Sequence, residues 1–350
     1  MKTLIHIIPT LENGGAETVL SRLVEELHQQ GYAQSVITLQ GSDQNFHFAH
    51  ITQFCEVIHA KNNHRQIKEV FQKSPDAVLL AWMYKAIVYA HSWKYQFKTQ
   101  QKIFWNIRRS NFQASEVFQK MVLLLFGLFT RWNNPPIIYC AYKAKYHHHR
   151  LGFRSLKSKV IQNRLAKKIE FSSLSQPPLD TPYVLYVGRH NRAKGPDRLL
   201  RLAETYLPQT PKLKLLIAGS GWENVKRPTN TKAQLLFLGN VKDLVPYYQH
   251  AQALLFTSYS EGYPNVLVEA AVCGTPIIGF EAGDAALILE QYSLGEIVEN
   301  EQAFGQQLNH ILATPPTQDQ RALAAKKARQ TFDFKHTVKA YTDFIFPETG

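Results

Sequence analysis

The chain has 350 residues, of which 45% are hydrophobic, 40 are Lys or Arg, 27 are Asp or Glu and three are cysteine. That length allows two domains with separate cores, while three cysteines, an odd number, exclude a disulfide framework and fit a reducing cytoplasm. The formal net charge of +13 lies wholly in the first half, where residues 1–170 hold 23 Lys and Arg against 10 Asp and Glu; residues 171–350 hold 17 of each.

A one-sided basic half points to a polyanion or an anionic membrane surface. The longest apolar run, Met121–Phe129, is about half of what a membrane-spanning helix needs. Met1-Lys2-Thr3 leads into a short apolar run that Pro9 ends, so no signal peptide is expected.

Thr3–Ile8 reads as a strand, and the segment from Leu11 to Glu17, with Gly14 and Gly15, as the turn after it. A helix follows from about Ala16 to Gln30, with Val19, Leu20, Leu23, Val24 and Leu27 at helical spacing and Gly31 as its stop. Ala33–Leu39 is the next strand. Strand, glycine turn, helix and strand open a doubly wound α/β domain. The glycine spacing is not that of a dinucleotide fingerprint, so a nicotinamide cofactor has little support. Residues 40–60 show no clear pattern. Ala77–Ala81 and Lys102–Ile107 read as strands, the second running into Arg108 and Arg109. Ser115–Trp132 is the most hydrophobic segment and carries Lys120 and Arg131; a buried core helix and an interfacial helix in a headgroup layer both fit it. Pro135–Cys140 reads as a strand. His147, His148 and His149 stand in a row. Consecutive residues point in different directions, so the three are read as a solvated basic face rather than as metal ligands.

Glu170–Pro182, rich in Ser and Pro, reads as a linker. The α/β rhythm then restarts. Tyr183–Val187 is a strand ended by Gly188-Arg189, and Lys194-Gly195 opens a helix to about Leu207. Leu213–Ala218 is a strand closed by Gly219-Ser220-Gly221. Leu235–Leu238 is followed by Gly239-Asn240-Val241 and a short helix. After a strand at Ala253–Thr257 comes SYSEGYPNVLVEAAVCGTPIIG, Ser258 to Gly279. Within it, Pro264 starts a helix over Asn265–Val272, Gly274 stops it and Thr275–Gly279 is a strand. Glu261 stands in the loop before this helix and Glu269 eight residues further on, a little over two turns and so roughly on the same side. The N–H groups of Tyr263 and of Asn265 to Leu267 present partial positive charge that suits a phosphate. Carboxylates flanking such a helix start suit a ligand with hydroxyls at both ends and phosphate between, as in a nucleotide sugar. Gly188, Gly219, Gly239 and Glu261 all fall at strand carboxyl ends and are expected to share one rim, where such sheets bind ligands. Gly283–Leu289 reads as a loop and helix, Glu296–Val298 as a strand and Thr317–Phe346 as helices.

The segment Glu261–Glu269, with Gly188-Arg189-x4-Lys194-Gly195 before it, resembles the glutamate-x7-glutamate motif and diphosphate-binding segment of retaining glycosyltransferases with two Rossmann-like domains, specifically glycosyltransferase family 4. That resemblance implies an α/β fold in which two Rossmann-like domains face each other across a cleft (GT-B) and the C-terminal helix crosses back to the first. It implies an acceptor-binding domain at 1–168, a linker at 169–182, a nucleotide-sugar-binding domain at 183–330 and the returning helix at 331–350. Arg189 and Lys194 would hold the donor diphosphate, Glu261 the transferred sugar and Glu269 the ribose. Gly14, Gly15, Gly188, Gly239 and Val241 would line the donor cleft with Gly262, Tyr263, Pro264, Asn265 and Val266. Arg108 and Arg109 are the candidates for an acceptor phosphate, against the reading of each as a surface arginine. Two fixed cations suit a departing nucleoside diphosphate, and a cation at a helix start opposes the helix dipole and needs such a reason.

The resemblance implies no metal and no cofactor beyond the nucleotide-sugar substrate, a UDP-sugar ahead of a GDP-sugar. The expected acceptor is a glycan, free or linked to polyprenyl diphosphate, in synthesis of a bacterial surface polysaccharide. The expected location is the cytoplasm, peripheral on the anionic inner face of its membrane, with no nucleic-acid partner. The chain departs from the family at Arg164-Leu165-Ala166, where Asn163 is usually followed by Gly and an acid, and at Gly283-Asp284-Ala285, usually a glycine pair. No histidine stands near Arg108. Two other readings are a nucleotide-sugar epimerase, which would consume donor without acceptor, and a basic module for nucleic acid or another anionic surface. The second lacks zinc spacing, a helix-turn-helix signal and an aromatic ribonucleoprotein motif.

Overall fold

A strand covered by helices on both faces is an unbroken apolar run, and Thr3–Ile8 and Val78–Trp82 are buried along nearly their whole length. The structure, a computed structural model, describes residues 2–12, 14–41, 46–61, 63–109, 117–164 (backbone alone at 117–120), 175–207, 213–223, 225 and 234–347. The chain divides into two compact units, Met1–Asn163 with Lys335–Gly350, and Arg164–Phe334.

The first unit alternates strand and helix: β1 (Thr3–Ile8), α1 (Gly15–Gln29), β2 (Ala33–Thr38), α2 (Phe46–Ile51), β3 (Glu56–His59), α3 (His64–Lys73), β4 (Val78–Trp82), α4 (Met83–Gln96), β5 (Lys102–Ile107), α5 (Val117–Asn133), β6 (Ile137–Tyr139), α6 (Tyr142–Arg150) and β7 (Ser158–Val160). Among the described residues its sheet has seven parallel strands in the order β3-β2-β1-β4-β5-β6-β7. Residues 40–60, which show no sequence pattern, hold α2 and β3, both too short to show a period. The hydrophobic segment is α5, and its expected start at Ser115 lies outside the described residues. One side of it is in the core, with Leu123 2% exposed, whereas Met121, Leu124, Leu125, Leu128 and Trp132 are exposed, so it is not the fully buried helix of the first reading.

The histidine row differs from its reading as a solvated face. His148 is fully buried on α6; its Nδ1 donates to Ala144 O (2.7 Å) and its Nε2 accepts from the Tyr84 hydroxyl (2.5 Å). Burial lowers its pKa from 6.5 to about 4. The helical turn places one histidine of the three inward.

The second unit contains β8 (Tyr183–Val187), α7 (Pro196–Tyr206), β9 (Lys214–Ala218), β10 (Gln234–Gly239), α8 (Val245–His250), β11 (Leu254–Phe256), α9 (Asn265–Val272), β12 (Ile277–Gly279), α10 (Ala285–Leu289), β13 (Gly295–Ile297), α11 (Glu301–Ala313) and α12 (Gln318–Thr331). Its sheet among the described residues has six parallel strands in the order β10-β9-β8-β11-β12-β13. On one face of this sheet Val184, Leu215, Ile217, Leu255 and Ile278 are buried against Leu199, Leu202 and Phe304 from the helices. Of the expected linker, Ser175 is tied to this unit: its hydroxyl donates to Gln249 Oε1 at 2.6 Å.

The last helix, α13 (Phe334–Ile345), returns to the first unit. The Tyr341 hydroxyl accepts from Asn106 Nδ2 at 3.0 Å and from Arg108 Nη1 at 3.1 Å. Phe344 meets Phe104 edge-on, and the Thr337 hydroxyl donates to Gln162 O. Each unit is thus a parallel sheet of Rossmann type, and the last helix belongs to the first unit.

Candidate functional site

In an open parallel sheet the ligand crevice lies where the strand order reverses, beyond the strand carboxyl ends. In the second unit that point is between β8 and β11, the sequence-separated neighbours. The loop after β8 and the loop after β11 meet there. Tyr259 and Ser260 both donate their backbone N–H to Ala193 O, at 2.8 and 3.1 Å. Lys194 Nζ donates to Glu261 Oε1 at 2.6 Å, and the Ser258 hydroxyl donates to the same oxygen at 2.7 Å. The Glu261 and Lys194 side chains are 11% and 24% exposed. An ion pair so enclosed is weakly screened by salt.

Local backbone explains how the pair is placed. Asn191 caps a single 3-10 turn, Arg192–Lys194, by accepting the Lys194 N–H. Gly195 then takes φ +65° before Pro196 opens α7. A Cβ at Gly195 would run into Thr257 O, and the Thr257 hydroxyl donates to the carbonyls of Lys194 and Gly195. The expected helix start at Lys194 therefore falls two residues later, and the intervening glycine turn is what turns Lys194 toward Glu261. Tyr186 donates its hydroxyl to Lys194 O (3.1 Å); burial, with the Glu261 charge nearby, holds its pKa well above the usual phenol value.

The rest of the expected rim is present in the same unit. Gly219 N–H donates to Gly239 O (2.7 Å), Gly188 N–H donates to Ala218 O (2.8 Å), and Trp222 Nε1 donates to Gly188 O (2.9 Å). Arg189 is exposed, without an ion pair among the described residues. Val241 follows β10, partly buried. Gly262 O accepts the Asp284 N–H (3.1 Å). Gly283, at φ +62°, packs so tightly on Gly262 O that a side chain there would collide, while Asp284 beside it is buried.

The helix of the central stretch, α9, spans the residues read from sequence. Pro264 precedes it without a side-chain cap. Leu267 N–H already donates to Pro264 O (3.1 Å), which leaves the N–H groups of Tyr263, Asn265 and Val266 of those expected to face a phosphate. Asn265 Oδ1 is buried without a hydrogen-bond partner among the described residues, an unsatisfied acceptor of the kind that marks functional sites. Tyr263 is buried and its pKa is raised by that burial, with Arg164 acting in the opposite direction. Glu269 Oε2 accepts the Tyr248 hydroxyl (2.9 Å) from α8. Glu261 and Glu269 thus have separate partners. Ser258 and Tyr248, which fix them, carry no motif of their own; Ser258 stands three residues before Glu261, where a loop hydroxyl could have been suspected.

The remaining expected site residues lie in the first unit. Gly14 is the N-cap of α1 and accepts the Thr18 N–H, and Gly15 is the first residue of that helix. Arg108 is no surface arginine: it donates to Tyr341 and to Asn163 Oδ1 and lies over the Trp82 ring. The positive charge of Arg109 lies near the buried Tyr84 hydroxyl.

The fold is that of the GT-B glycosyltransferases, and the switch point of the second unit carries a cation, a carboxylate and a helix start. Residues 168–330 match the family described as Glycosyl transferases group 1. HepE of Anabaena, solved in complex with UDP and glucose, superposes with a TM-score of 0.74 at 17% identity, over 98% of this chain and 99% of that one. The lipopolysaccharide outer core galactosyltransferase WaaB superposes with a TM-score of 0.68 at 14% identity, over the whole of both chains. Among curated relatives, the D-inositol 3-phosphate glycosyltransferase of Nocardiopsis dassonvillei is 27% identical over 184 residues. That match takes in 47% of this chain and spans 43% of the relative's length.

Proposed function

We propose that the chain is a retaining glycosyltransferase, of glycosyltransferase family 4, that moves a hexose-type sugar from UDP to an acceptor hydroxyl. The observation that carries this reading is the Lys194–Glu261 pair at the switch point of the second sheet, beside an uncapped helix start. The donor diphosphate competes with Glu261 for Lys194. On binding, Lys194 and Arg189 take the phosphates and Glu261 turns to a sugar hydroxyl. Glu269, steadied by Tyr248, accepts the ribose hydroxyls. As the bond from the anomeric carbon to the diphosphate breaks, the bond to the acceptor oxygen forms on the same face, the acceptor hydroxyl passes its proton to an oxygen of the departing diphosphate, and the two cations stabilise the charge that leaves. The crystal complexes of HepE with UDP and with UDP-glucose support UDP as the nucleotide. The first unit receives the acceptor, a lipid-linked glycan at the inner leaflet of the cytoplasmic membrane; its excess of basic residues supports that.

The test is acceptor-dependent release of UDP from a panel of UDP-sugars, with the product's anomeric configuration read by NMR. Retained configuration is expected, with kcat lowered roughly a hundredfold or more in Lys194→Ala. An inverted product sinks the retaining mechanism, and sugar turnover without any acceptor favours the epimerase reading.

A further inference from the structure

Helices α8 and α9, which carry Tyr248 and Glu269, have six and eight residues, too few to keep a direction by their own backbone bonds. The last carbonyls of a helix have no partner inside it, and one side chain from outside reaches the ends of both. Arg321, near the start of α12, donates Nε to Gly274 O (2.8 Å), just past the end of α9. Its Nη2 donates to Gln249 O (2.8 Å) and Tyr248 O (3.4 Å) in the last turn of α8. The Thr275 hydroxyl donates to Tyr248 O as well (2.7 Å). The backbone of Tyr248 is thus held from two sides, while its hydroxyl donates to Glu269 Oε2. Gly274, at φ +73°, lets α12 approach so closely that a Cβ there would meet Arg321 O. Arg321 makes no ion pair among the described residues, and a cation near its own helix start opposes that helix's dipole. Burial lowers its pKa, because the charge is poorly solvated there.

We propose that Arg321 is a positioning residue for the ribose of the donor nucleotide. Its rigid guanidinium fork pins the end of α8 against the end of α9. That sets the Tyr248 hydroxyl against Glu269 and keeps the carboxylate aimed at the ribose hydroxyls. Arg321 acts through the two helices, from a third helix 52 residues beyond Glu269. An ordinary C-terminal cap serves one helix and stays in solvent; this side chain bridges two and is withdrawn from water. The inference rests on the ribose role proposed for Glu269 and extends it to the residue that holds the pair in register.

The test is titration calorimetry of the full chain with UDP and with dideoxy-UDP, which lacks both ribose hydroxyls. Wild type is expected to bind UDP about tenfold more tightly than the dideoxy analogue, and Glu269→Ala to bind the two alike. Arg321→Met is expected to cut the wild-type ratio to about threefold, while its Kd for the dideoxy analogue changes by less than about twofold. A cap with a stability role alone leaves the ratio where it was, so an unchanged ratio in Arg321→Met overturns the proposal. Arg321→Lys keeps the charge but cannot span Gly274 O and Gln249 O together, and its ratio is expected to fall between the two. Should Arg321→Met not fold, Arg321→Lys decides, and a wild-type ratio there overturns the proposal. Wild type that binds the two ligands alike, or does not bind UDP, overturns the ribose reading and this inference with it. A ratio lost in Glu269→Ala but kept in Arg321→Met overturns this inference alone.

Discussion

Lys194 is held by its backbone more than by its partner. The 3-10 turn capped by Asn191, the left-handed Gly195 and the Thr257 hydroxyl set the loop before the Nζ reaches Glu261. Two glycines separate the contributions of backbone strain and crowding. Gly195 and Gly239 share a positive φ, but a Cβ at Gly195 meets Thr257 O and one at Gly239 meets nothing. Gly195→Ala should therefore cost about 2 kcal/mol or more in denaturant unfolding, and Gly239→Ala about 1 kcal/mol. Equal losses would mean that the close approach to Thr257 contributes nothing. The glycine-lysine spacing around this turn was visible in the sequence because it is local. The partners Ser258 and Tyr248 were not singled out: a hydroxyl's role depends on which loop folds over it, and Tyr248 is 21 residues from Glu269.

At the scale of elements, legibility followed length and context. Helix α9 lies where Pro264 and Gly274 bracket it, and β5 has the bounds of its apolar run. By contrast α2 has six residues and β3 four, too few for a period to emerge. Helix α6 shows what composition hides. YKAKYHHHR reads as a solvated face, yet Ala144 and His148 point inward four residues apart. Because burial lowers the His148 pKa from 6.5 to about 4, the unfolded chain takes up that proton before the folded one does. The neutral ring's contribution is fully present above pH 6.5 and is lost as the pH falls toward 4. Between pH 7.5 and pH 5 this residue should account for about 2 kcal/mol of lost stability. Denaturant titrations at both pH values check it: His148→Gln should lose less than wild type over that interval, and an equal loss would show that His148 does not titrate in this way.

For the molecule as a whole, the repeated strand-helix rhythm and the shift of charge between halves announced two α/β units, and the two sheets share the order of a Rossmann fold with one extra strand in the first. Parallel pairing with right-handed crossovers leaves few ways to arrange such a repeat, which is why so much of the fold was legible. The return of α13 to the first unit was expected only through the family resemblance, since Tyr341 and Asn106 are 235 residues apart. The measurement that bears most directly on the donor site is a thermal-shift screen of UDP, GDP, ADP and their sugars on wild type and Glu269→Ala. A ligand that binds the native state alone raises the apparent melting temperature. UDP and its sugars should raise it in wild type, with the shift lost or much reduced in Glu269→Ala. No shift with any nucleotide, or one that Glu269→Ala leaves unchanged, would contradict the donor site described here.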